Sequence, residues 1–442
     1  LLPLLHAWRN RLQEEFAPLL PAPTDVNAPA NENAPANAPA PVNVNVPVPV
    51  HVHAPVALAG FLGYAANHGA ALAGIDYDNQ TDWTGARPAP DLSSALAGLS
   101  VHAIAGRHLA AALTPIVDED GLALETGHIT AVWRGIGAWA GRRAIAYGPG
   151  TGGAIVFGGV TPLDGGGLYL ARPTVLPSVL RWLGPVGAEA FLARVTNGDR
   201  IRHPLLWGVR VAARPHGRLR LAAQRGVMFG GEGNTDPGLR DFLYMLIGKH
   251  AGESGELDNQ VFSASASWRP PLGRALPLLA WIEWGMDDSA GAWRDVPAII
   301  AGAELAAVPG VPALALGVER AYFARSCCGN TAWYRNWSLR GGWTDDGRVL
   351  GHPLGGHGTE WLVSARADFD DARLRARAAA FTRDRGAENL VAPERAGRSR
   401  GAAIDARWRP AAAIELAAAA AFERGDAGWD SSSLTLTAWW FR

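Results

Sequence analysis

Arginine recurs at alternate positions in two stretches of this chain, Arg218 and Arg220 following Arg210 and Arg214, and Arg373, Arg375 and Arg377, with Arg366 and Arg407 in similar settings. A guanidinium presents its N–H donors as a planar fork that fits a carboxylate, so files of arginine suit the acidic sugars of a polysaccharide. Glu283, Asp287, Glu319, Asp368, Asp405 and Glu415 are spread through comparable stretches. The same arginines could therefore form ion-pair ladders that only fill an interior. A second candidate is the glycine-rich run Gly347 to Gly358, which carries His352 and His357 close to Trp343, Asp345 and Asp346. Trp343 and His352 could contact a sugar. A metal centre needs three or more ligands in supporting geometry, and Asp345-Asp-Gly347 lacks the alternating acids of a calcium loop, so no metal or other cofactor is expected. A glycine-dependent turn that shapes or constricts a larger structure is the preferred reading of this run. Leu257-Asp-Asn-Gln260 reads as the cap of a turn entering a strand. Ser263, Ser265 and Ser267 sit in a strand pattern without an evident histidine partner, so no catalytic residue is assigned.

Lys and Arg number 40 against 41 Asp and Glu, a formal charge of −1, which gives no global basic field for nucleic acid. Adjacent Cys327 and Cys328 exclude a disulfide framework and a CxxC pattern. With 48% hydrophobic and 18% charged residues, the chain is able either to bury a large core or to coat a membrane. Its eighteen Trp favour places where a side chain is half apolar and half hydrated.

The elements that must carry these side chains are read from a two-residue alternation. Leu205, Trp207, Val209 and Val211 share one face, and Gly208, Arg210, Ala212 and Arg214 the other; Pro215-His-Gly217 turns the chain into Arg218 to Gln224, where Leu219, Leu221 and Ala223 oppose Arg218, Arg220 and Gln224. The dyad returns at Phe262 to Trp268, Leu278 to Asp287, Trp361 to Phe369, Arg373 to Ala378, Ile404 to Trp408 and Ile414 to Glu423. It ends at Leu434, Leu436, Ala438 and Trp440 against Ser433, Thr435 and Thr437. A soluble sandwich turns its apolar face inward and a membrane barrel turns it outward. Here the polar face holds several charges of both signs per strand pair while the other is nearly uncharged and rich in alanine, which suits lipid contact better than a packed core. Strands survive in hydrocarbon only when the sheet closes on itself, because an unpaired amide costs several kcal/mol there. The fold expected is thus all-β: a closed transmembrane antiparallel β-barrel of about sixteen to eighteen strands, with a short N-terminal helix.

The front of the chain reads differently. Leu5, Trp8, Leu12, Phe16 and Leu19 recur at helical spacing, so residues 1–21 are expected to hold an amphipathic helix ended by Pro21. Residues 22–55 form a Pro/Ala/Asn/Val linker, where Pro47 and Pro49 forbid an internal strand despite alternating valines. The barrel is expected over 56–442. Ala54 to Ile75 lacks Asp, Glu, Lys and Arg and has the length of a membrane helix, but Gly60, Gly63, Gly69 and Gly74 favour strands. The opening Leu1-Leu-Pro-Leu-Leu, with no Met and no basic region, reads as a processed or trimmed start.

From about Trp133 to Phe369 the chain resembles the capsule assembly protein family Wzi. The resemblance rests on Tyr147-Gly-Pro-Gly-Thr-Gly-Gly-Ala-Ile155; Trp207-Gly-Val-Arg-Val-Ala-Ala-Arg-Pro215 with Gln224-Arg225 and Gly230-Gly231; Leu257-Asp-Asn-Gln260; Gly317-Val-Glu-Arg-Ala-Tyr322; Trp333-Tyr-Arg-Asn336; and Gly347-Arg-Val-Leu-Gly-His-Pro-Leu-Gly355. It implies a monomeric closed barrel in the Gram-negative outer membrane, a periplasmic helical element near the N-terminus, and a lectin-like role for group 1-type capsules without catalysis. The 22–55 run departs from that family, and Arg442 follows Phe441 where an aromatic usually closes a barrel chain. The function expected is binding of capsular or other surface polysaccharide, helping to assemble or anchor the capsule. Arg210, Arg214, Arg218, Arg220, Arg373, Arg375, Arg377, Trp343 and His352 are the candidate contacts, and outer-membrane lipid is the surrounding partner. A passive porin or sugar channel is the alternative, and an outer-membrane hydrolase a weaker one.

Overall fold

The computed structural model describes residues 56–69, 93–105, 108–118, 121–196, 201–234, 237–246, 258–272, 276–287, 298–324, 333–336, 339–369, 373–390 and 395–441. The expected N-terminal helix and linker, and Cys327-Cys328, lie outside them. Eighteen strands form the wall: β1 (Val56–Gly69), β2 (Ser93–Ala105), β3 (Leu109–Asp118), β4 (Gly121–Trp133), β5 (Ile136–Tyr147), β6 (Phe157–Leu170), β7 (Pro185–Arg194), β8 (Leu205–His216), β9 (Leu219–Phe229), β10 (Asp258–Trp268), β11 (Leu278–Asp287), β12 (Ala298–Leu305), β13 (Leu314–Phe323), β14 (Gly358–Phe369), β15 (Leu374–Arg385), β16 (Gly397–Ala411), β17 (Ile414–Gly425) and β18 (Asp430–Phe441). Each pairs antiparallel with its neighbours in sequence. The last closes on the first, from Ala59 opposite Phe441 to Gly69 opposite Ser431. Closure removes the free edge that a sheet in lipid would otherwise leave unpaired. Val56–Gly69 is a strand, as its glycines indicate.

Burial is inverted relative to a water-soluble protein. Leu62, Ile129, Val363 and Ile404 are each more than half exposed on the outer face, whereas Ser263, Glu283 and Thr435 are buried on the inner one. Leaving a large aliphatic side chain in water forfeits about 1.5–3 kcal/mol, and this wall presents dozens, so the outer face is complementary to acyl chains. Trp133, Trp268, Phe369, Trp408 and Trp440 stand exposed near one end of the barrel, the place of an aromatic girdle at a membrane interface.

The two ends differ. At the girdle end the connections include 134–135, 217–218 and 412–413, of two residues each; the opposite end carries 70–92, 230–257 and 324–357. Part of one long connection, the helix α1 (Leu239–Leu246), lies on the outside of the wall. Phe242 and Met245 pack there against Val227 and Phe229.

Candidate functional site

Two segments from the long-connection end fold into the lumen and pack against its wall. One is Gly148–Val156, which follows β5. The other, within the connection between β13 and β14, comprises Trp333–Asn336 and Leu339–His357 and includes a small hairpin, Thr344–Asp345 with Arg348–Val349. Asp346 (φ 50°) and Gly347 (φ 74°) turn that hairpin through left-handed backbone, which Asp and Gly tolerate best.

The plug is a core of its own. Trp343, Tyr334, Trp333, Ile155, Val349 and Leu354 are fully buried against wall residues that include Phe157, Met228, Val261 and Phe323. The indole N–H of Trp343 donates to the Val156 carbonyl at 2.8 Å, and the Tyr334 hydroxyl donates to Ile155 O at 2.6 Å. The two segments thereby hold each other.

Single carboxylates on the inner face of the wall hold the plug in turn. Glu319 on β13 accepts the backbone N–H groups of Thr151 (2.6 Å) and Gly152 (2.8 Å) and the indole N–H of Trp281 (3.0 Å). Asp287 on β11 accepts Tyr334 N–H at 2.6 Å. Glu283 accepts Ser263 Oγ at 2.6 Å and Gln224 Nε2 at 2.7 Å, with Ile155 N–H at 3.4 Å. Glycine at 152 permits this approach: a Cβ there would lie 3.0 Å from one Glu319 oxygen and 3.1 Å from a Glu360 oxygen.

Beside the plug runs a buried ionic chain across β14 to β17. Arg383 bridges Glu360 (2.5 Å) and Glu423 (2.9 Å), Arg385 pairs with Glu423 at 2.7 Å, and Ser399 Oγ donates to Glu423 at 2.5 Å. His352 Nε2 lies 4.0 Å from Glu360.

Two plug groups have shifted acidities of opposite consequence. Burial pushes His352 down to about 4, against the pull of Glu360 and with help from Arg383 and Arg385. Burial raises Asp345 to about 6, although its carboxylate accepts Thr196 N–H at 2.7 Å. An undocked His352 titrates near its ordinary value of about 6.5, so its contribution to docking is intact above that pH and is lost as pH falls toward 4. The raised Asp345 works the other way: the docked loop binds its proton first, so docking gains as pH falls from about 6 toward the ordinary carboxylate range of about 4. Between pH 7 and 4.5 each effect amounts to about 2 kcal/mol, and they offset. Asp345→Asn, which keeps an oxygen for Thr196, removes the gain alone. That variant is expected to show an acid-induced rise in protease cleavage or conductance that the parent lacks; an equally flat response would refute the pairing.

The structure sets the arginines named from sequence, Arg210 excepted, apart from Trp343 and His352. Arg210 lies in the lumen on β8, its guanidinium carbon 5.3 Å from the Tyr147 ring centroid. Arg214 and Arg220 line the lumen toward the short-turn end, and Arg218 sits in the turn there, its N–H donating to His216 Nδ1. Arg373 stands at the same end. Arg375 lies 3.5 Å from Asp368, and Arg377 faces Asp405 and Arg366 in register. Arg366 with Glu304 (3.6 Å) and Arg407 with Glu415 (3.7 Å) extend this ladder. Trp343 and His352, by contrast, are wholly buried in the plug. The residues that seat the plug, Glu283, Asp287 and Glu319, carried a sequence signal only in combination: isolated acids on inward positions and a charge-free glycine block to meet them. The Glu360–Arg383–Glu423–Arg385 chain gave none, because its members are far apart in sequence.

The described site can be set beside known proteins. The family described as capsule assembly protein Wzi matches residues 64–432. No curated protein matches the chain. Among solved structures, Wzi of Escherichia coli, an outer-membrane protein involved in group 1 capsule assembly and described as a carbohydrate-binding β-barrel, is 16% identical. The match covers 86% of this chain and 83% of that one, with a TM-score of 0.69. OccK11 (OpdR) of Pseudomonas aeruginosa is 10% identical over 87% of this chain and 95% of its own, at a TM-score of 0.51. OpdL of the same organism is 13% identical over 88% and 98%, at 0.50. Such identities establish likeness of fold, and membership rests on the family match, which spans most of the barrel. This chain belongs to the Wzi capsule assembly protein family.

Proposed function

We propose that this chain is a non-catalytic barrel of the Gram-negative outer membrane that binds capsular or other surface polysaccharide at its long-connection end and so helps anchor the capsule. The observation that carries the choice of a binding protein over an open channel is the plug, a packed, hydrogen-bonded core across the lumen. In outer-membrane barrels the long loops face outward and the short turns the periplasm, which puts the plug at the cell surface as the floor of a binding face. Arg202 and Arg340 are exposed there and Arg335 is half-buried, and their guanidinia suit acidic sugars. Retention comes from many weak contacts to repeating units acting at high effective concentration. In this reading Trp343 and His352 hold the floor, and Arg210, Arg214, Arg218, Arg220, Arg373, Arg375 and Arg377 belong to the lumenal ladder at and beyond it. A single chain closes the barrel, and the protein acts as a monomer with lipid as its solvent.

The test combines planar-bilayer conductance with retention on immobilised polysaccharide. The purified chain is expected to be retained and not to conduct. Arg202→Ala with Arg340→Ala is expected to weaken retention about tenfold, as for loss of a charge-assisted contact or two, while Arg373→Ala/Arg375→Ala/Arg377→Ala leaves it unchanged. Steady conductance without retention would replace this reading by a passive sugar channel, which the arginine ladder at the short-turn end would then line.

A further inference from the structure

Arg400 on β16 and Arg424 on β17 stand directly opposite each other in register, on the outer face of the wall and near its long-connection end. Both are exposed. Like charges opposed across a ladder repel and destabilise the pair. Among the described residues neither side chain has an ion-pair partner. Asp430 stands opposite Arg424 without forming one, and Asp384 lies 3.8 Å from Arg398, a third outward arginine one dyad above Arg400. The same register line continues through Thr382 and Trp361 to Arg320, whose guanidinium carbon lies 5.3 Å from the Trp361 ring centroid. On the other side of this line the outward residues are Phe422, Ile404, Leu434 and Val363, all exposed and apolar. The arginines thus sit where an acyl-chain surface gives way to a polar one, the depth of lipid headgroups, where Arg and Trp both settle.

We propose that Arg400 and Arg424 form an exterior site for the phosphate groups of a phosphorylated outer-leaflet lipid, with Arg398 and the Arg320–Trp361 pair flanking it. A phosphate between the opposed guanidinia accepts from both forks and turns their repulsion into a bridge, while the lipid's chains lie on Phe422, Ile404 and Leu434. The site lies on the outer wall, apart from the polysaccharide face, and stands whether or not that reading holds. Native mass spectrometry tests it with the full chain in uncharged detergent, supplied with a bisphosphorylated lipid A, with the same lipid dephosphorylated, or with inorganic phosphate. The expected result is at least tenfold greater retention of the bisphosphorylated form, lost in Arg400→Gln/Arg424→Gln and kept in Arg172→Gln at the far end. The double variant, freed of the opposed charges, is expected to melt no lower than the parent without lipid and to gain less from it. Equal retention of the dephosphorylated lipid, or unchanged retention by the double variant, would overturn the site. Inorganic phosphate binding as tightly as the lipid would also overturn it, as a small-anion site only.

Discussion

Replacing Glu319 and Asp287 together by alanine is expected to turn a silent barrel into a conducting one. Glu319 receives two backbone N–H groups of Gly148–Val156, and Asp287 receives the N–H of Tyr334. Those are the shortest carboxylate ties of the two plug segments to the wall strands, beside the longer one from Ile155 to Glu283, and both acids are buried. A hydrogen bond to a charged group contributes roughly 1.5–3 kcal/mol, and truncating the acceptor leaves buried donors unpaired. Relief from burying two carboxylates offsets part of this, leaving about 3 kcal/mol, or roughly a hundredfold shift from closed toward open. Planar bilayers that stay silent with the parent should therefore show frequent, long openings with the variant. Glu319→Gln, which keeps an oxygen near Thr151, is expected to fall between the two. Unaltered traces from the double variant would mean that apolar packing alone holds the plug.

Arg383→Met is expected to cost more stability than any other single change in the wall. It leaves Glu360 and Glu423 buried without their shared cation, and breaking a buried pair in this way costs about 3–5 kcal/mol. The folded barrel should then convert to the unfolded chain on semi-native gels at a clearly lower temperature. Glu423 keeps Arg385, so replacing Glu360 alone by glutamine in the Arg383→Met background removes the stranded charge and should recover most of the loss. Failure of that rescue would mean that Arg383 matters for packing against Phe381, whose ring centroid lies 3.9 Å from its guanidinium carbon.

The wall was legible because the two sides of a lipid-facing strand differ so sharply. The alternation at Leu205 to Val211 or Leu434 to Trp440 specified strand and face at once, and the ladder agrees residue by residue, although the outward Leu205 and Trp207 pack beneath α1 where sequence led to lipid contact. The glycine-rich run Gly347 to Gly358 was legible as a turn that shapes a larger structure, but the partners of the plug were not, because nothing local in Gly148–Val156 says that its amides meet an acid 167 or 168 positions later. Alternation also tells which face a residue takes and not how far along the lumen it sits. Arg373, Arg375 and Arg377 share the inward or rim position expected of them, yet stand at the end away from Trp343 and His352. Separating one end from the other required the lengths of all the connections, and those depend on exact strand limits.

Everything above depends on the orientation of the dyads relative to lipid. With Cys327 and Cys328 replaced by serine, nitroxide labels at 363, 364 and 365 and at 434, 435 and 436 can be read in bilayers for relaxation by oxygen, which concentrates in acyl chains, and by a polar nickel chelate, which does not. High oxygen and low nickel response at 363, 365, 434 and 436, with the reverse or neither at 364 and 435, is the result expected of the exposed Val363, Leu434 and Leu436. The opposite phase, with 364 and 435 in oxygen-rich surroundings, would put the apolar flank inside and contradict the barrel, the plug and the surface role together.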